Sequence, residues 1–260
     1  MVKERGSVKA LFCYPVKGLS AQPLGRVELR PGAGIPNDRM FAFARPDGRY
    51  RPGTRDGLPK QEFFALVSDC RLAGLDTHLD PETDVLTARV AGHEVLKTDL
   101  TTEDGRDTAV RFFTRVLDMP SGAAPLFARE AGRRFTDAAA AGDGPMNWLS
   151  LVNLASVRDL ELRTGTVVDP MRFRANILVD GLRAWSELDL TGREFDLGDV
   201  RVRAVHRTKR CAATEVDPVT GRRDLPVVSM IDRTYGHRLM GIYLEVLGAG
   251  VLEKGDEIVV

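Results

Sequence analysis

Residues 198–221, GDVRVRAVHRTKRCAATEVDPVTG, change character twice along their length. Val200–Arg207 alternates apolar and basic side chains, the two-residue period of a strand with one buried and one wet face. With EFDL in front and a Gly198-Asp199 turn between, it reads as the second arm of a β-hairpin. Cys211 lies just beyond that arm, and the Asp-Pro and Thr-Gly pairs of 217–221 then signal turns. A strand end is a rigid mount for a reactive group.

Strand signals recur on either side. VKALFCYPV (8–16) and RVELRPGAG (26–34) are β-rich runs broken by Gly and Pro, and MFAFARPDGRY (40–50) reads as a hairpin around Pro-Asp-Gly. Lys60–Cys70 and Leu86–Leu96 add shorter strand candidates, the latter turning at Ala91-Gly92. ANILVDG (175–181), GIYLEVL (241–247) and DEIVV (256–260) close the series. Two helices interrupt it. Thr108–Leu117 has Asp107 as cap and Pro120 as stop, and Asn153–Thr164 is capped by Asn153 and ended by Gly165. AAAAGDG (138–144) reads as a mobile crossing near a site. The expectation is a mainly β chain with a few helices, a barrel or sandwich and not a doubly wound sheet.

Composition narrows the function. The 260 residues are 43% hydrophobic and 28% charged, as in an ordinary globular protein. Lys+Arg and Asp+Glu number 37 each, so no nucleic acid and no anionic membrane is expected as partner. Any anion site has to be built locally. The N-terminus lacks the apolar core of a signal peptide and no run is long enough to span a bilayer. Cys13, Cys70 and Cys211 are too few and too irregular for a disulfide framework, which fits a cytoplasmic setting. CxxC, HExxH, GxGxxG and P-loop patterns are absent from the sequence.

Lone cysteines are commonly inert small hydrophobes, and Cys13 and Cys70 read that way. Cys211 follows Arg207, Lys209 and Arg210, and neighbouring cations favour thiolate over thiol. It is either a third inert cysteine or a sulfur that attacks or binds metal. His206 is its only nearby zinc-type ligand, and His78, His93 and His237 stand at no ligand spacing. A soft metal carried in by an organic ligand asks for less: one thiolate, and basic groups for the ligand's anion.

RFRANILVDG (172–181), the 198–221 stretch and GIYLEVLGAGVLEKGD (241–256) resemble the MOSC domain, the C-terminal domain of molybdenum-cofactor sulfurase. YPVKGL (14–19) and NDRMFAF (37–43) resemble the β-barrel domain that precedes it in amidoxime-reducing proteins. The resemblance implies an N-terminal β-barrel-like domain over 1–100 and a MOSC β-barrel domain over 101–260, packed as one unit. It makes Cys211 the protein ligand of a molybdenum–pterin (molybdopterin) cofactor. Lys17 and Arg39 match phosphate- and pterin-binding residues, and Arg210 and Lys209 match pterin contacts, a serine being usual at 209. Arg174 and Asn176 fit an Arg-Pro-Asn motif in which Ala175 replaces the proline. Tyr243 matches an aromatic contact. Gly18 stands where serine is common, and Met146-Asn147 stand where the family has Thr-Ser, leaving Asn147 as the candidate contact. A phosphorylated pterin is an anion, and converging Lys17, Arg39, Arg174 and Arg210 suit it. Asp217 reads first as a turn residue holding the loop after Cys211, and second as a catalytic proton-transfer group. Phe112, Phe113 and Trp148 read as core.

The activity implied is a molybdenum-dependent oxidoreductase that removes oxygen from N-hydroxylated small molecules. No iron–sulfur domain follows Gly255-Asp256 in this sequence, so a separate electron-donor redox protein is implied. The alternatives are a sulfur carrier with a Cys211 persulfide, and a non-catalytic carrier of the cofactor.

Overall fold

Strands dominate residues 4–260, which a computed structural model describes; residues 1–3, which open the N-terminus read above as lacking a signal peptide, lie outside the described residues. The chain runs β1 (Arg5–Cys13), β2 (Gln22–Leu24), β3 (Arg26–Leu29), β4 (Ala42–Ala44), β5 (Asp76–Leu79), β6 (Val85–Val90) and β7 (His93–Asp99), then α1 (Glu103–Val116) and β8 (Leu126–Ala128). It continues with β9 (Leu149–Asn153), α2 (Leu154–Thr164), β10 (Ile177–Asp180), β11 (Glu194–Leu197) and β12 (Val200–Lys209). Last come α3 (Val227–Tyr235), β13 (Leu239–Val246), β14 (Gly250–Glu253) and β15 (Glu257–Val259).

Strands β10, β9, β13, β12, β11, β15 and β1 pair in that order, and β1 pairs back onto β10. The sheet therefore closes into a barrel, which removes its exposed edges, and β2 hangs on β1. The mainly β expectation holds. Alternation in β12 sends Val200, Val202 and Ala204 inward and Arg201 and Arg203 to solvent. Pairing with β13 then slips between Ala204 and His206 and again between Arg207 and Lys209. Such bulges turn a strand and re-aim its side chains, here just ahead of Arg210 and Cys211.

A second core joins Val16, Leu19, Phe43 and Leu72 to β6, β7 and α1. Phe112 and Phe113 belong to it, as expected, and so does Val216 from beyond Cys211. Val202 and Ala204 of β12 belong to the core inside the barrel and Val216 to this second one, so the segment that follows β12 runs from one to the other.

Several local expectations are corrected. MFAFARPDGRY makes its turn, but β4 pairs with β8 and bridges to Phe63, while Tyr50 joins Phe63 and Phe135 in an aromatic cluster. Lys60–Cys70 is not a strand. Phe63 makes only an isolated bridge to Ala44, no ladder follows it although Phe63 to Leu66 are buried, and 3-10 turns stand at Lys60–Glu62 and Cys70–Gly74. Helix α1 begins at Glu103 because Thr102, not Asp107, caps it, accepting from Gly105 N at 3.1 Å. Helix α3 was not foreseen; it is nine residues long with only Val227 and Ile231 buried, too short a pattern to stand out. The 138–144 crossing is mostly a 3-10 helix, Asp137–Ala141, with Ala139 buried.

Glu187 is fully buried, held by Ser156 Oγ at 2.8 Å and Asn153 Nδ2 at 3.2 Å, with no ion-pair partner among the described residues. Burial raises its carboxyl above the ordinary 4.5 against those hydrogen bonds. The native state thus favours the protonated form, so this contribution is full below the unfolded value and lost as pH rises through the folded one. As pH rises above the ordinary carboxyl value of 4.5, unfolding midpoints should therefore fall less in Glu187→Gln than in wild type. An unchanged profile would remove Glu187 from the pH response.

Candidate functional site

The turned end of β12 meets the segments 14–18, 37–39 and 172–176 around one cavity of about 190 Å³. Lys17, Arg39, Lys60, Arg172, Arg174, Lys209 and Arg210 line it, with Asp137 the one carboxylate on its wall among the described residues. Cys211 opens onto the same space as a free, half-buried thiol. Asp38 neutralises Arg39 from behind, and Asp217 and Asp224 neutralise Arg172. The remaining cations still outnumber the carboxylate.

Asp38, only 4% exposed, organises one wall. It accepts from Tyr14 N at 2.8 Å, from Asn176 Nδ2 at 3.2 Å and from Arg39 Nη1 at 2.8 and 2.6 Å. Burial opposes the Arg39 charge, but Asp38 outweighs it and raises that guanidinium's pKa. Arg39 also donates to the Arg174 carbonyl at 3.1 Å. Both arginines are left-handed, at φ 50° and 49°, and both guanidinium groups lie within 4.4 Å of the Tyr14 ring centre. Arg174 has no carboxylate partner among the described residues, and burial pulls it down to about 10. Arg210 donates Nε to Met240 O and Nη1 to Phe173 O, each at 2.8 Å, while its buried Nη2 has no partner among the described residues. Thr208 Oγ1, also on the wall, is unpartnered in the same sense.

The opposite wall carries a lysine pair. Lys17 Nζ donates to Phe135 O at 2.9 Å and Asp137 Oδ1 at 2.6 Å; burial lowers its pKa and Asp137 offsets part of that. Lys60 Nζ stands 3.6 Å from Asp137 Oδ2 and 3.2 Å from Cys211 Sγ. Burial works against its charge, and Asp137 with Cys211 more than restores it. Burial likewise opposes the Asp137 charge, yet Lys17 and Lys60 hold that carboxyl well below the carboxylate range. Gly18 sits at φ 83°, and a Cβ there would lie 3.0 Å from Leu72 Cδ1 and 3.3 Å from Ala65 Cα. Only its backbone is available to a ligand.

Of the expected residues, Lys17, Gly18, Arg39, Arg174, Asn176, Lys209, Arg210, Cys211 and Tyr243 line this one cavity. Asn176 faces it but is committed to Ser150, Phe12 and Asp38. Asn147 does not reach it: its 3-10 turn points the amide at Arg134 Nε, 3.0 Å away, and at Asp143 O. Asp217 stays outside too. Its Oδ1 accepts from Val219 N and Thr220 N, and its Oδ2 from Arg172. That is the turn-holding geometry, and nothing here supports proton transfer from it. Trp148 is not core but a cavity wall beside Tyr243, ring centres 6.1 Å apart. Lys60, Asp137, Thr208 and Asp38 went unread. Asp38 adjoins Arg39 in the quoted NDR run, whereas Lys60 lies 151 residues from Cys211 and carries no local signal. Cys13 is buried, with its thiol pushed up to about 12 by desolvation.

The MOSC N-terminal beta barrel domain matches residues 5–127, running past residue 100 to take in α1, and the MOSC domain matches residues 140–259. The chain is 25% identical to mitochondrial amidoxime reducing component 2 of Bos taurus, over 99% of this chain and 84% of that one. The corresponding Rattus norvegicus protein is 29% identical with the same coverage. Molybdenum cofactor sulfurase of Caenorhabditis briggsae is 26% identical over 92% of this chain, which spans 33% of that longer protein. The crystal structure of the YUAD protein from Bacillus subtilis covers 99% of the chain at 13% identity and a TM-score of 0.45.

Removing the Asp38 carboxylate leaves a buried guanidinium without its counter-ion and the Tyr14 N–H without an acceptor, while Asn176 Nδ2 keeps only Phe12 O. Asp38→Ala should cost roughly 3–5 kcal/mol of stability, read as a shift in the urea unfolding midpoint. A loss near that of a surface substitution would deny Asp38 this role.

Proposed function

The chain is a MOSC-domain protein that carries the MOSC N-terminal beta barrel domain ahead of it, and on that premise we propose that its cavity binds a molybdenum–pterin cofactor and reduces N-oxygenated compounds. One observation carries the assignment: a single free sulfur, Cys211, in a wall crowded with cations. The donor set suits that group. A thiolate is a soft-metal ligand, and guanidinium forks grip phosphate and pterin oxygens two at a time. Arg210 Nη2 and the Arg174 guanidinium, neither with an acceptor among the described residues, hold hydrogen-bonding capacity in reserve for such an anion.

Cys211 would ligate the metal. Lys17, Lys60, Arg39, Arg174, Arg210 and the exposed Lys209 would face the anionic parts, Gly18 would approach through backbone alone, and Tyr243 with Trp148 would flank flat rings. Asn176 would hold the wall through Asp38 and Ser150 instead of touching the ligand. When bound, the group supplies two-electron chemistry: an N–OH takes up two electrons and two protons, its N–O bond breaks, and the oxygen leaves as water. The chain's own part is binding, orientation and charge. Lys60 Nζ keeps a proton 3.2 Å from the Cys211 sulfur, sustained by Asp137. The two electrons come from a separate redox protein. Relatives named amidoxime reducing component support this reaction class.

Relatives named molybdenum cofactor sulfurase favour a second reading, in which free Cys211 carries a persulfide to an acceptor. A carrier that holds and releases the cofactor without turnover is a third.

Protein from a molybdate-supplied host should contain about one molybdenum per chain, show pterin fluorescence and consume benzamidoxime under a reducing dye. Cys211→Ser should lose the metal while Cys13→Ser and Cys70→Ser keep it. Arg174→Ala should weaken pterin retention by roughly 1.5–3 kcal/mol. Equal metal in the three cysteine variants overturns the ligand assignment; sulfane sulfur without pterin selects the persulfide carrier.

A further inference from the structure

A second hollow of about 520 Å³ adjoins the cavity and shares Leu66, Arg172, Arg174 and Ala213 with it. That volume lies within the range of small-molecule sites. Its lining is largely hydrocarbon, from Leu19, Leu75, Met171, Val216, Pro218 and Val219. The polar groups around it are mostly committed. Ser20 is bonded to Leu75 O and Thr77 N, Asp169 to Met171 N, and Arg172 to Asp217 and Asp224. Asp76 and Arg89 are register partners on β5 and β6, so their charges oppose each other.

The outer lip is the turn that the cofactor site leaves unused. Asp217 Oδ1 accepts from Val219 N at 3.0 Å and Thr220 N at 2.6 Å, and Oδ2 is tied to Arg172 at 3.2 Å. Thus anchored, the turn holds Val219 out at 78% exposure. A single exposed valine needs no explanation. One fixed by a buried arginine at the edge of a hydrocarbon chamber has a use.

We propose that this chamber binds the uncharged hydrocarbon body, aryl or alkyl, of a small molecule whose polar end passes Leu66 and Ala213 into the Cys211 cavity. Resting on the reductase reading, it makes the substrates N-oxygenated compounds with apolar bodies, in preference to small hydrophilic hydroxylamines. With the lining largely hydrocarbon and Pro218 and Val219 at its lip, affinity should grow with buried carbon.

The test is calorimetric binding of non-reactive para-alkylbenzamides, ethyl to hexyl, to the purified full chain with its molybdenum content measured alongside. Affinity is expected to rise up to about fourfold per methylene in wild type. Val219→Asp at the lip and Ala21→Phe in the wall should flatten that rise, and circular dichroism should show both variants folded. Equal affinity along the series in wild type, or an unflattened rise in both folded variants, overturns the inference. The two claims separate cleanly. A length-dependent series on molybdenum-loaded protein that never reduces benzamidoximes leaves the hydrocarbon site standing and sinks the reductase. Turnover of benzamidoximes with no dependence on length does the reverse.

Discussion

The site depends on the Asp38 carboxylate. Buried at the meeting of three segments, it takes the Tyr14 backbone where β1 ends, the Arg39 guanidinium beside it, and the Asn176 amide at the entry to β10. Those segments come from distant parts of the chain, and one buried acceptor with charged and neutral donors sets their spacing. Its geometry also carries strain. Arg39 and Arg174 are both left-handed, a conformation that costs on the order of 1–3 kcal/mol for each non-glycine residue. They are held there by the carbonyl of one accepting from the other, and by the Tyr14 ring that both approach.

Charge is the second organising fact. Burying several cations in one cavity is unfavourable unless each finds an acceptor. Arg39 finds Asp38, Arg172 finds Asp217 and Asp224, and Lys17 finds Asp137. Arg174, one arm of Arg210 and the Nε of Arg172 are left over among the described residues. The molecule is neutral overall, so this local excess is made by position and not by composition. An anionic ligand would relieve it, binding more tightly than surface arginines allow because the guanidinium groups are already desolvated and oriented.

Barrel and site are coupled through the end of β12. The strand's apolar face fills the barrel, its two pairing slips rotate the last residues, and the chain then crosses to the second core through Val216. Cys211 stands on that crossing. A rigid barrel thus presents the sulfur from one side while Lys60 and Asp137, on 3-10 turns of other segments, close from the other.

Where side-chain period spoke, the sequence was legible. The Gly198-Asp199 and Ala91-Gly92 turns and the Asn153 and Gly165 caps encode local backbone geometry and stand where the sequence puts them, while the alternation of 200–207 holds as far as Ala204 and is then broken by the bulge. The resemblance carried by YPVKGL, NDRMFAF, RFRANILVDG, the cysteine block and GIYLEVLGAGVLEKGD named nine residues that do line one cavity. What stayed hidden was contact across long separations. β4 passes over its own turn to pair with β8, Phe63 bridges back to Ala44 instead of opening a strand, and Lys60 reaches a sulfur 151 residues away. Local sequence determines which conformations a segment prefers and which chemistry it carries. Which cation stands beside which acceptor is decided only when the two cores close, because a hydrogen bond or ion pair across the fold depends on position in space and leaves no periodic trace along the chain.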